Sequence, residues 1–127
     1  MTRGIEMFNF LRPSGSQVGK IDPKAAVAQA KAGELVVIDV REGMEVKSSG
    51  KAKGALHIPL ATLKMKCDPS SPEKHPDLDT SKPVALYCAS GARSAGAAQM
   101  LAQMGYETVY NIGGLYDWHG AGGEVER

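Results

Sequence analysis

The chain has 127 residues, 43% of them hydrophobic, and its 15 Lys and Arg against 14 Asp and Glu leave a net charge of +1. That length supports one core and not two, and charges of both signs are scattered without a basic stripe, which gives no electrostatic case for binding nucleic acid. Two cysteines at unrelated positions form no disulfide framework, and no Cys/His spacing suits zinc, so a reducing, cytoplasmic compartment is the simplest home.

Residues 1–17 read as a flexible leader, and residues 18–127 as one folded domain. The patch Met7-Phe8-Asn9-Phe10-Leu11 ends at Arg12-Pro13 and is too short for a secretory segment or a membrane span. Ser14-Gly15-Ser16 is a linker in composition. Ile21 lies in a short first strand or lead-in; Asp22 then caps a helix with Pro23 at its first position, running over 25–32 and closed by Gly33. Leu35-Val36-Val37-Ile38 is a continuous apolar run, as in a strand covered on both faces, and Asp39-Val40-Arg41-Glu42 follows at its carboxyl end. A polar, glycine-punctuated stretch reaches Gly54, where the lysines from Lys47 to Lys53 read as a solvated face or a local positive rim. An extended piece, Ala55-Leu56-His57-Ile58-Pro59, leads to a short helix over 61–66.

Residues 68–82 are rich in Pro and Ser and read as a long loop, of the kind that is often mobile or lines a site. Val84-Ala85-Leu86-Tyr87 is the second buried strand. A helix over 94–104 closed by Gly105, a strand at Thr108-Val109-Tyr110 and a last helix opened by Gly113-Gly114 and running through Trp118 complete the pattern. Strands alternating with helices give an α/β domain with a parallel sheet and right-handed crossovers. In such sheets sites lie beyond the carboxyl ends of the strands, where both the segment from Asp39 to Arg41 and Cys88 fall.

Cys88 opens the segment Cys88-Ala89-Ser90-Gly91-Ala92-Arg93-Ser94 between a strand and a helix. Small residues there let successive backbone N–H groups curl toward one centre, and the helix adds the positive end of its dipole. Such a cradle favours a thiolate over a thiol and favours an anion brought to it. A free cysteine is ordinarily a small buried hydrophobe, but a core cysteine needs no Gly, Arg or helix start after it. Cys67 has no such company and reads as structural, with a resolving thiol as the alternative.

These segments resemble the rhodanese-like single-domain sulfurtransferases. The resemblance rests on Ile38-Asp39-Val40-Arg41-Glu42, on residues 50–59 with Gly54-Ala55 and Ile58-Pro59, and on the segment from Tyr87 to Ser94. It continues through residues 101–106, Val109-Tyr110-Asn111-Ile112-Gly113-Gly114 and residues 118–122, in the family's order. One departure stands out: where that family carries Gly-His-Ile-Pro-Gly, this chain has Gly50-Lys51-Ala52-Lys53-Gly54, which bears on the surface beside the site.

The resemblance implies a central parallel sheet with helices on both faces and a catalytic Cys88 that takes sulfur from a small anionic donor, thiosulfate foremost. It then passes the sulfur as a persulfide to cyanide or to a cellular thiol or thiol protein, with no metal or organic cofactor. Ala89, Ser90, Gly91, Ala92 and Arg93 would bind the donor, with Arg41 a second candidate. Arg93 could instead brace the loop. Asp39 is expected as a buried acceptor tying strand end to loop, and Ser94 as a helix-start residue able to donate to the sulfur. Two alternatives stay open, a phosphatase or arsenate reductase using the same Cys-to-Arg loop and a non-enzymatic interaction module. The presence of Cys88 counts against the module, and a loop of only Ala89-Ser90-Gly91-Ala92 between Cys88 and Arg93 suits a single sulfur atom better than a phosphoryl group.

Overall fold

A computed structural model describes residues 18–127; the expected leader over 1–17, with its linker, lies outside the described residues. Five parallel strands form the main sheet: β1 (Val18–Lys20), β2 (Val36–Asp39), β4 (Leu56–His57), β5 (Val84–Cys88) and β6 (Val109–Gly114), in the order β1-β6-β5-β2-β4. Between them come α1 (Pro23–Lys31), α2 (Gly43–Ser49), α3 (Leu63–Cys67) after a 3₁₀ turn at Leu60–Thr62, α4 (Ala92–Gln103) and α5 (Leu115–Gly120).

β5 sits at the centre and is buried along its whole length, which is why its sequence is apolar without alternation. Its side chains nevertheless divide between the two faces. Val84, Leu86 and Cys88 join Ile38 in a core with Leu63 of α3 and Ala97, Ala98 and Leu101 of α4. Ala85 and Tyr87 join Val37 in a second core with Ala26 of α1 and Trp118 of α5. Helices therefore cover both faces, as the fold class requires.

The helix starts follow from local chemistry. Asp22 Oδ1 accepts from the Lys24 amide at 3.0 Å with Pro23 at the first helical position, satisfying an end that would otherwise expose free donors. Helix α4 begins at Gly91, whose φ of +105° is a left-handed conformation that only glycine adopts without strain.

Several boundaries differ from the sequence expectation. The stretch before Gly54 contains α2 and a two-residue strand β3 (Lys51–Ala52), which pairs antiparallel with β7 (Val125–Glu126) in a separate ribbon. Gly113 and Gly114 end β6, with Gly114 also capping the last helix as expected, and α5 extends to Gly120. The loop over 68–82 is tethered toward the amino ends of β5 and β6, away from Cys88 at the carboxyl end: the His75 amide donates to the Lys66 carbonyl, the Glu107 amide to the Thr80 carbonyl, and Leu78 is buried in the core. It does not line the site.

Candidate active site

Strands β2, β5 and β6 run parallel and end together, with Asp39 level with Tyr87 and Cys88 level with Gly114. A bulge in β6 inserts Ile112 between Asn111, which faces Leu86, and Gly113, which faces Tyr87. The extra residue brings two glycines under the loop that follows Cys88. A Cβ on Gly114 would lie 2.2 Å from the Ala89 carbonyl oxygen, and one on Gly91 would lie 3.2 Å from Gly113 Cα. No other residue fits at Gly114 without displacing the loop.

Cys88 is 0% exposed, and the loop wraps its sulfur. The Gly91 amide donates to Sγ at 3.0 Å and the Ser94 amide at 3.4 Å, with Ser94 Oγ also at 3.4 Å. Burial alone would push the thiol up, but the hydrogen bonds from Ser94 Oγ and from the amides of Ser94, Gly91 and Ser90 outweigh it and hold the thiol below its ordinary value. Cys67 is the contrast: equally buried but with no such donors, it is pushed up to about 12 by desolvation. Its place in the core beside α4 is that of a packing residue.

Both arginines are paired with carboxylates. Arg41, expected as a candidate donor-binding residue, is 3% exposed, and its guanidinium is an internal clamp: Nε donates to Asp39 Oδ1 at 3.0 Å, Nη2 to Asp39 Oδ2 at 2.7 Å, and Nη1 to Ser49 Oγ at 2.7 Å. A guanidinium committed to a buried carboxylate keeps little for a substrate. Arg93 was open to two roles. Its guanidinium forms a bidentate pair with Glu45 of α2, at 2.7 and 2.8 Å. Glu45 also accepts from the Glu42 amide at 3.0 Å, and these partners, Arg93 first, lower its carboxyl to about 2.

Asp39 lies where the strand end places it, wholly buried. Besides Arg41 it accepts from the Tyr87 hydroxyl at 2.7 Å, while that hydroxyl takes the Ala52 amide at 2.8 Å. Ser94 is buried at the first turn of α4, its Oγ 2.7 Å from Asn111 Oδ1. Ala89, Ser90 and Ala92 are exposed on the rim, and a shallow depression of ≈ 330 Å³ reaches Ala89, lined also by Arg41, Met44, Glu45, Ser48 and Ser49. The arrangement can hold an anionic sulfur nucleophile under converging N–H groups beside an open rim.

Three residues were missed from the sequence. Glu45 follows Glu42 by three positions, the spacing of a helix-start box, but Glu is an unusual first member. Asn111 is a polar residue inside a strand, where Asn is depleted, and that anomaly was the available signal. Tyr87 reads as one more apolar strand position until its hydroxyl is located.

Comparison with known proteins agrees with this geometry. The sequence profile of the Rhodanese-like domain matches residues 22–121. Thiosulfate sulfurtransferase PspE of Escherichia coli is 38% identical over 80 residues, covering 63% of this chain and 70% of that one. The uncharacterized protein YqhL of Bacillus subtilis is 40% identical over 85 residues, covering 66% of this chain and 60% of that one, so this chain spans less than two thirds of YqhL. A solved structure from Rhodopseudomonas palustris, described as a protein of unknown function and possible tyrosine phosphatase, superposes with a TM-score of 0.76 at 34% identity, covering 99% and 96% of the two chains. With the profile spanning most of its length, this chain belongs to the Rhodanese-like domain family.

Proposed function

We propose that the protein is a sulfurtransferase that moves sulfane sulfur from thiosulfate, through a persulfide on Cys88, to cyanide or a cellular thiol. The observation that carries this reading is the set of donors converging on Cys88 Sγ from Gly91 and Ser94. They stabilise a thiolate, and the thiolate is the nucleophile. It attacks the outer sulfur of thiosulfate; a new S–S bond forms, the bond to the sulfonate sulfur breaks, and the electron pair leaves with sulfite. The persulfide then gives its outer sulfur to the acceptor and Cys88 is again a thiolate. Negative charge stays near the loop in both halves, so one set of fixed donors serves both without rearrangement.

Ala89, Ser90, Gly91, Ala92 and Arg93 contribute the loop itself, and donor binding falls to their backbone, since the guanidiniums of Arg41 and Arg93 are held by Asp39 and Glu45. The relative named thiosulfate sulfurtransferase supports thiosulfate as donor. A phosphatase reading has a structural relative described in those terms. The loop disfavours it here: four residues separate Cys88 from Arg93, the sulfur is enclosed, and the arginine that would grip a phosphoryl group is paired with Glu45.

Intact-protein mass after exposure to thiosulfate tests the proposal. One sulfur should be gained, cyanide should remove it as thiocyanate, and Cys88→Ser should gain none while remaining folded. An unmodified parent, or a parent that hydrolyses p-nitrophenyl phosphate and leaves thiosulfate untouched, would overturn it.

A further inference from the structure

Asn111 is held at both ends. Its Oδ1 faces the Gly113 amide at 3.1 Å, which can only donate, and its Nδ2 faces the Gly91 carbonyl at 3.1 Å, which can only accept. The orientation of the side-chain amide is therefore fixed by its neighbours. The Ser94 hydroxyl then meets an acceptor at Oδ1, 2.7 Å away, a sulfur at Cys88 Sγ, 3.4 Å away, and the Gly113 carbonyl at the longer 3.5 Å. It has one hydrogen to give. The Gly91 carbonyl, 3.2 Å from Ser94 Oγ, already accepts from Asn111 Nδ2 and from the Ala95 amide.

We propose that Asn111 is a positioning residue of the Cys88 centre: its Oδ1 is the resting acceptor for the Ser94 hydroxyl, which turns to Cys88 Sγ when that sulfur is anionic and returns to Asn111 when it is neutral. Its use in turnover rests on the sulfur-transfer reading. When thiolate becomes persulfide, the charge moves from Sγ to the outer sulfur; when the outer sulfur is handed on, the charge returns. Ser94 is wholly buried, so its hydroxyl needs an acceptor in both states. Asn111 supplies the second one, and a small rotation of the hydroxyl follows the charge without moving the backbone.

This places Asn111 in competition with Cys88 for one proton. Removing the competitor in Asn111→Ala should leave Ser94 donating to Sγ and increase the thiolate fraction about threefold at a pH below its midpoint, whereas Asn111→Asp, a stronger acceptor carrying charge, should decrease it about tenfold. A purely structural Asn111 predicts otherwise. Both variants lose the bond to the Gly91 carbonyl, which would slacken the loop and lower the thiolate fraction in each.

The test is the pH dependence of iodoacetamide alkylation at Cys88, followed by peptide mass in the full chain. Asn111→Ala should lower the midpoint, Asn111→Asp should raise it, and in a Ser94→Ala background Asn111→Ala should have no effect on it. A midpoint that rises or stays in Asn111→Ala, or that shifts equally without the Ser94 hydroxyl, overturns the proposal. Should Asn111→Ala not fold, the near-isosteric Asn111→Asp decides: its shift must shrink when Ser94 is alanine, and an undiminished shift overturns it. This readout needs no sulfur donor, so its failure is separate from a parent that gains no sulfur from thiosulfate.

Discussion

Tyr87 shows how much can rest on one buried hydroxyl. Its ring packs in the core on the α1 and α5 face, with Arg41 Cζ 5.7 Å from the ring centroid, and its oxygen joins Asp39 to the Ala52 amide. Tyr87→Phe keeps the ring and removes the oxygen, leaving a buried amide without an acceptor, at a cost of about 1–3 kcal/mol. We expect a lower denaturant midpoint with an unchanged slope; stability equal to the parent's would mean that the Ala52 amide finds another partner. Glu45 gives a pH dependence at the same scale. Its folded pKa of about 2 lies below the ordinary 4.5, so its stabilisation is present above pH 4.5 and is lost as pH falls toward 2. Because the pair with Arg93 is more than a third exposed on the arginine side, that contribution is small, roughly 0.2–1 kcal/mol. In Glu45→Gln the unfolding free energy should fall by that amount at pH 7, and the gap to the parent should narrow below pH 4.5 and close only as pH falls through about 2. A gap that persists in acid would point to the hydrogen bond with the Glu42 amide and not to charge.

At the scale of elements, the segments legible in the sequence are those whose pattern is local. The Asp22-Pro23 cap, the apolar runs of β2 and β5 and the loop from Cys88 to Ser94 all declare themselves within a few residues, and each is found where its pattern places it. Helix α2 was missed because its sequence, Gly-Met-Glu-Val-Lys-Ser-Ser, has no buried residue and so no apolar stripe to read. The ribbon of β3 and β7 was missed because two-residue strands far apart in sequence are specified only by meeting each other. The same limit hid Asn111, whose partners Gly91 and Ser94 come from another element. Gly113 and Gly114 were legible as the opening of α5, which Gly114 caps, but not as the end of β6 under the loop, since the bulge at Ile112 appears only once β6 is paired. Gly114→Ala tests that second role. Gly114 has φ −119° and ψ 170°, open to any residue, so the obstacle is the Ala89 carbonyl alone. Shifting that carbonyl should cost sulfur transfer about 100-fold, in line with a displacement near 1 Å at a reacting centre, while α5 and the core stay folded by circular dichroism. Full activity would show that the loop yields without consequence.

Across the whole molecule, one of the two cores, on the α1 and α5 face of the sheet, packs against β7 through Val125. β7 reaches the sheet through the ribbon with β3, where Lys51 pairs with Glu126 and Lys53 with Glu124. These lysines stand where the family's usual turn has a histidine and a proline, and the acidic partners answer them. Such exposed pairs contribute about 0–1 kcal/mol each, too little to fix the end of the chain. Trp118 is the stronger hold: it is buried in the core with Ala26 and Val125 packed around it, and its Nε1 donates to the Glu124 carbonyl at 2.8 Å. Gly123 makes this close approach possible, since a Cβ there would lie 2.3 Å from Trp118 Nε1 and 2.4 Å from Cε2. An indole enclosed in a core cannot swing aside as an exposed side chain would. Gly123→Ala should therefore destabilise the fold by about 1–3 kcal/mol through overpacking, a fall in Tm of roughly 4 °C for each kcal/mol in a domain of this size. Lys53→Ala should stay within about 0.5 kcal/mol of the parent. The two variants alter the same ribbon, one by sterics and one by charge, so thermal unfolding of both at low and high salt separates the causes. If Lys53→Ala lost as much as Gly123→Ala, and salt abolished the difference from the parent, the ribbon would be held electrostatically and Trp118 would be an ordinary core residue.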